Sequence, residues 1–96
     1  MQFGAAQHMW FVYILKCKDG TLYTGSTNNL EKRFRTHKDG KGAKYTKSHK
    51  PQRIVFSKKY GNKILAQRKE REIKNWTRKE KIKLIEAHCN VLEPTV

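Results

Sequence analysis

From Trp10 to Leu15 the chain reads Trp-Phe-Val-Tyr-Ile-Leu, aromatic or aliphatic at every position, without the alternation of a half-exposed strand. Such a run suits a central strand covered on both faces. Asp19-Gly20 then marks a turn, and Thr21 to Gly25 returns as a second strand to make a hairpin. The length of its loop decides what the two tyrosines can do together. A two-residue loop at Asp19-Gly20 pairs Leu15 with Thr24 and places Tyr13 and Tyr23 on opposite faces, because side chains alternate along a strand. A three-residue loop, Lys18-Asp19-Gly20 with Gly20 left-handed, pairs Leu15 with Tyr23 and puts both hydroxyls on one face. A shared site needs the second register.

Asn28 followed three residues later by Glu31 reads as a capping box that opens a helix running to about His37 or Lys38. At roughly 100° per residue, Leu30, Phe34 and His37 form one stripe, with Arg33 at its edge as the i,i+4 neighbour of His37. Asp39-Gly40-Lys41-Gly42 ends the helix, a flexible loop follows from Lys38 to Lys50, and Arg53 to Phe56 reads as a third strand. A further helix spans Lys63 to about Trp76, where Thr77-Arg78-Lys79-Glu80 starts another that buries Ile82, Ile85 and Cys89. Leu65, Ala66, Ile73 and Trp76 define the buried arc of the helix from Lys63, with Glu70 near one rim and Glu72 near the other. Periodicity does not choose between these two acids. The order β-β-α-β-α-α implies an α+β domain, a small, largely antiparallel three-stranded sheet flanked by helices. Residues 9–89 form that domain, 1–8 are a disordered extension, a cloning remnant or an alternative start, and 90–96 are a fraying tail.

A chain of 96 residues has room for one such domain. Its 22 Lys and Arg against 8 Asp and Glu, a net charge of +14, attract polyanions, so nucleic acid is the leading partner class. The longest apolar run falls far short of the roughly 20 residues that cross a bilayer and has no basic segment before it, so a cytoplasmic protein without membrane contact is expected. Cys17 and Cys89 lack any metal-ligand spacing and are read as reduced, part-buried residues. No small-molecule organic cofactor is expected.

Arg33 and His37 could aim a guanidinium and an imidazole at a phosphate, or could be a surface arginine beside a part-buried histidine. Tyr13 and Tyr23 could equally be core aromatics. Glu70 or Glu72 could be a salt-bridge partner or an oxygen ligand for Mg²⁺, which takes one or two carboxylates with waters and substrate phosphate.

Taken together, Val12-Tyr13, Tyr23-Thr24-Gly25, Arg33, His37 and Glu70 resemble the GIY-YIG endonuclease superfamily. Leu22-Tyr23-Thr24-Gly25, Gly40-Lys41-Gly42-Ala43-Lys44-Tyr45-Thr46 and Glu70 three before Ile73-Lys74 are most similar to its small stand-alone bacterial proteins of the YhbQ type. These are related to the N-terminal incision domain of the excision-repair endonuclease UvrC, and the resemblance spans about Trp10 to His88. The first motif here reads Phe11-Val12-Tyr13 in place of Gly-Ile-Tyr, and the second has Thr24 in place of Ile. The resemblance implies a GIY-YIG-like fold and metal-dependent phosphodiester hydrolysis on DNA, structure-selective or weakly sequence-specific, linked to repair or recombination. It implies catalytic roles for Tyr13, Tyr23, Arg33 and His37, and it favours Glu70 over Glu72 as ligand to Mg²⁺ or Mn²⁺. Which group takes the proton stays open between Tyr13 and His37.

Two segments, Glu31 to Lys50 and Lys63 to Lys83, each carry +6 and are the expected contact to nucleic acid, DNA first. Lys32, Lys41, Lys44, Lys47 and Lys74 are the candidates for phosphate, and Tyr45 for stacking or a phosphate hydrogen bond. The competing readings are a non-catalytic basic module that binds DNA or RNA and a basic protein-protein adaptor.

Overall fold

In the computed structural model, which describes residues 9–92, the doubly apolar run becomes β1 (Trp10–Cys17). It is the middle strand of a three-stranded sheet ordered β2-β1-β3, with β2 (Leu22–Thr27) and β3 (Pro51–Tyr60) both antiparallel to it. Leu15 lies opposite Tyr23 and Tyr13 opposite Gly25, the register of the three-residue loop. Gly20 makes that register possible, with φ of 87° and its N–H donating to the Cys17 carbonyl at 2.9 Å. β3 is longer than its apolar stretch because it is an edge strand, where Gln52, Arg53, Lys58 and Lys59 stand exposed.

One face of the sheet holds the main core. Val12, Ile14, Phe56, Ala66 and Ile73 form its buried cluster, joined by Trp10, Leu22, Trp76, Leu84 and Ile85. Val12, Ile14 and Ile73 are wholly buried, each stabilising by roughly 1.5–3 kcal/mol relative to exposure. Ala66 and Ile73 come from α3 (Lys63–Lys74), which lies across β1 and β2, and Leu84 and Ile85 from α4 (Arg78–Leu92), which lies against β3. Thr77 and Glu80 cap α4 reciprocally: the Glu80 N–H donates to Thr77 Oγ1 at 3.2 Å and the Thr77 N–H to Glu80 Oε1 at 2.8 Å. Two apolar assignments need correction. Leu65 is 43% exposed because it lies in the first turn of α3, beyond the sheet's cover. Leu84 rather than Ile82 joins Ile85 against the buried cluster, all three being half-buried.

α1 (Leu30–Lys38) covers the opposite face. Its cap is Asn29 and not Asn28: Asn29 Oδ1 accepts the Lys32 N–H at 3.0 Å, while Thr27 Oγ1 accepts the Asn29 N–H at 3.1 Å. Thr27 thereby takes the part that Glu31 would play in a capping box. The stretch from Lys38 to Lys50 is not a featureless loop, since Lys44–Ser48 form a single-turn helix, α2. The final helix continues through Leu92, and the expected extension 1–8 and residues 93–96 lie outside the described residues. Cys17 is a free thiol and fully buried, more so than expected, and burial pushes its pKa up. The side chain of Cys89 lies outside the described residues. Among the described residues no helix is long and apolar enough to cross a membrane.

Candidate active site

The hairpin register places Tyr13 and Tyr23 on the α1 face, their ring centroids 6.4 Å apart. The residue opposite Tyr13 is Gly25, and its missing side chain has a purpose. A Cβ built there would lie 2.5 Å from Tyr13 Oη and 3.2 Å from Tyr23 Cε2. Tyr13 therefore occupies the space above β2 that any other residue would fill, and its hydroxyl reaches toward the sheet's free β2 edge.

α1 supplies Arg33 and His37 from successive turns. His37 is completely buried, with Nε2 3.0 Å from Tyr13 Oη and Nδ1 2.8 Å from Thr46 Oγ1. Thr46, also buried, donates its hydroxyl hydrogen to the Ala43 carbonyl at 2.9 Å. Gly42 lies over the same imidazole, where an added Cβ would come within 2.8 Å of His37 Cε1. Burial, helped by the Arg33 charge, pushes His37 down to about 4, so the ring is neutral near pH 7. Burial likewise pushes the Tyr13 phenol up to about 12; Arg33 opposes that rise, while the charges of Tyr23 and Glu70 add to it.

Glu70 approaches from the other side of the sheet. Ser26, paired with Val12, faces α3 and donates to Glu70 Oε1 at 2.6 Å. Lys74 Nζ lies 2.9 Å from Glu70 Oε2 and 5.9 Å from the centroid of the Tyr23 ring. Lys74 thus bridges the acid on α3 and the tyrosine on the opposite face by passing around the β2 edge. The Glu70 side chain is 18% exposed, whereas Glu72 is 53% exposed and pairs with Lys69 at 3.3 Å. Glu70, and not Glu72, is the acid on the site's side of α3, where it lines a cleft of about 230 Å³ with Gln67, Arg71 and Lys74.

No three His, Cys, Asp or Glu converge among the described residues, so the donor set for a zinc cage is missing there. One part-buried carboxylate on an open cleft fits a hard divalent ion, which keeps waters and takes further oxygens from a phosphate.

The basic candidates spread around this centre. Lys32, Lys41, Lys44 and Lys47 are exposed on α1, the following turn and α2, and Lys74 is engaged by Glu70. Tyr45 stacks on Tyr23 at 5.8 Å and on His49 at 4.3 Å between ring centroids. His49 Nδ1 lies 2.6 Å from Asp19 Oδ2, which fastens α2 to the β1–β2 turn. Sequence reasoning passed over Thr46, Ser26, Gly25 and Gly42 as site residues. Ser26 was accessible from the ladder, because pairing Tyr13 with Gly25 turns the next residue toward α3. Thr46 gave no signal, since its contact with His37 depends on how the basic loop folds. Thr24, standing where the motif has Ile, buries a hydroxyl with no hydrogen-bond partner among the described residues.

Residues 9–83 match the GIY-YIG catalytic domain family. The chain is 51% identical over 76 residues to a UPF0213 protein of Staphylococcus haemolyticus, which covers 79% of this chain and 93% of that one. It is 46% identical over 83 residues to the UPF0213 protein YazA of Bacillus subtilis, covering 86% and 84%. The solution NMR structure of a UPF0213 protein from Bacillus halodurans shares 42% identity over 82% of this chain and 84% of that one, with a TM-score of 0.54. With the match spanning most of the chain and relatives this similar over most of their own length, the chain belongs to the GIY-YIG catalytic domain family.

Proposed function

We propose that this protein is a cytoplasmic endonuclease that hydrolyses DNA phosphodiesters with one divalent metal, selects structure more than sequence, and serves repair or recombination. The observation that carries this reading is the 3.0 Å contact between the Tyr13 hydroxyl and a neutral, buried His37, with Arg33 and Glu70 both close enough to act on the phenol.

A phosphodiester repels nucleophiles, so its site must neutralise charge, activate water and stabilise the leaving oxygen. Glu70, oriented by Ser26, would hold Mg²⁺ or Mn²⁺, which supplies Lewis-acid neutralisation of the phosphate. Arg33 clamps a non-bridging oxygen and stabilises the added negative charge. A water gives its proton to Tyr13 Oη as the phenol passes its own to His37 Nε2; the resulting hydroxide attacks phosphorus and the P–O bond to the leaving group breaks. The leaving oxygen takes a proton from solvent, and His37 returns its proton to solvent through Tyr13. The phenol stays neutral throughout, which suits a group held near 12. Arg33 is one cause of the weak basicity of His37, so pairing Arg33 with a phosphate strengthens the base when substrate is in place. Tyr23 positions water or phosphate, and Lys32, Lys41, Lys44, Tyr45, Lys47 and Lys74 hold the strand.

The test uses nicked, flapped and single-stranded DNA with Mg²⁺ or Mn²⁺, comparing wild type with Glu70→Ala and Tyr13→Phe. Metal-dependent cleavage that drops at least about 100-fold in each variant is expected. Unchanged cleavage in both removes these residues from the mechanism. Salt-sensitive binding with no cleavage of any substrate identifies a non-catalytic nucleic-acid-binding module instead.

A further inference from the structure

We propose that Thr46 is a positioning residue that fixes the tautomer of His37, holding hydrogen on Nδ1 and leaving Nε2 bare to receive the Tyr13 proton. This rests on the nuclease reading for its purpose, though not for its geometry.

Hydrogen accounting at the Thr46 end of the imidazole leads to one tautomer. A threonine hydroxyl has one hydrogen and can serve one acceptor with it. Thr46 Oγ1 has two close neighbours, the Ala43 carbonyl at 2.9 Å and His37 Nδ1 at 2.8 Å. The carbonyl can only accept, and two oxygens at that separation repel unless a hydrogen lies between them. The hydroxyl hydrogen therefore goes to Ala43, and Nδ1 must be the donor toward Thr46. At the other end, the bare Nε2 that this leaves is the acceptor for the Tyr13 hydroxyl hydrogen, 3.0 Å away. The opposite tautomer would leave the oxygens of Thr46 and Ala43 facing each other with no hydrogen between them.

The rest of the segment holds this arrangement in place. Thr46 is 1% exposed, and its N–H also donates to the Ala43 carbonyl at 3.1 Å. The missing Gly42 side chain lets the turn close over the ring. The basic loop thus has a role in the proton path as well as charge for the strand.

The tautomer is read directly from the wild-type protein, without metal or DNA, by two-bond ¹H–¹⁵N correlation of the His37 ring at neutral pH, where protonated and bare nitrogens resonate far apart. The expected spectrum has Nδ1 protonated. Protonated Nε2 overturns the proposal, whatever becomes of the nuclease assay. Thr46→Ser should keep the wild-type pattern, whereas Thr46→Val, matched in shape, should mix the tautomers. In cleavage, Thr46→Val should lower kcat about 100-fold while KM changes little, and Thr46→Ser should restore most of the loss. A Thr46→Val protein with an unaltered ring spectrum overturns the role of Thr46. If that variant does not fold, Thr46→Ala is judged by the same spectrum.

Discussion

His37 is a neutral imidazole because it is buried, between a phenol and a hydroxyl, and that has a measurable cost in acid. Its folded pKa, about 4, lies below the ordinary 6.5, chiefly through burial and secondly through Arg33. Below pH 6.5 the unfolded chain therefore gains a proton that the folded chain refuses. Stability is complete above that pH and falls by on the order of 3 kcal/mol as pH drops toward 4. Denaturant unfolding at pH 7 and pH 4 should show wild type losing that much more than His37→Gln; equal losses would mean that the ring is already free to protonate in the native state. The stripe Leu30, Phe34, His37 indicated which way this histidine points. It gave no account of what the ring meets, because Tyr13 and Thr46 come from other elements. The helical wheel leaves Glu70 and Glu72 both on rims, the resemblance alone favours Glu70, and in the structure Ser26 on β2 holds Glu70 while Glu72 pairs with Lys69.

Among the elements, α2 depends most on remote partners. Five residues are too few for a helix to persist alone. It is held by the stack of Tyr45 between Tyr23 and His49, and by His49 bonded to Asp19. The Lys18 N–H donates to the Lys50 carbonyl at 2.9 Å, a second tie to the same turn. His49, then Thr21, holds the Asp19 carboxyl well below the usual carboxylate range, so the clasp is intact above that range and loosens as pH falls through it. Asp19→Ala should speed amide hydrogen exchange from Tyr45 to His49 while β1 and β3 keep their protection. Unchanged exchange would show that aromatic stacking alone holds α2. These dependencies explain why α2 could not be read from its own residues, whereas β1 and the Thr77 box could; the hairpin register, open between two loop lengths in the sequence, is settled by the pairing of Leu15 with Tyr23. β1, that register and the Thr77 box are governed by neighbours in the chain and by Gly20. The overlooked length of β3 has a different cause: an edge strand alternates into solvent and carries lysines there.

Across the whole molecule, the two +6 segments lie on opposite faces of the sheet. The candidate site lies at the β2 edge, where Lys74 reaches from one face toward the other. A strand passing that edge would meet α1 and α2 on one side and α3 on the other, whereas Lys58 and Lys59 lie on β3, along the opposite edge. Total charge and charge placement therefore predict different outcomes. Binding of a short duplex is measured against salt with chelator present, so that no strand is cut. Each phosphate contact contributes about −0.9 to the slope of log K against log salt. Replacing Lys41, Lys44 and Lys47 together with Ala should make that slope shallower by about 2 to 3, while replacing Lys58 and Lys59 should barely alter it. Equal changes per lysine removed at either edge would make the net charge of +14 a diffuse attraction with no preferred path. A change confined to the β2 side places the strand across Arg33 and Glu70, since those lysines extend from the α1 face that carries Arg33 and the strand must pass the edge where Glu70 waits.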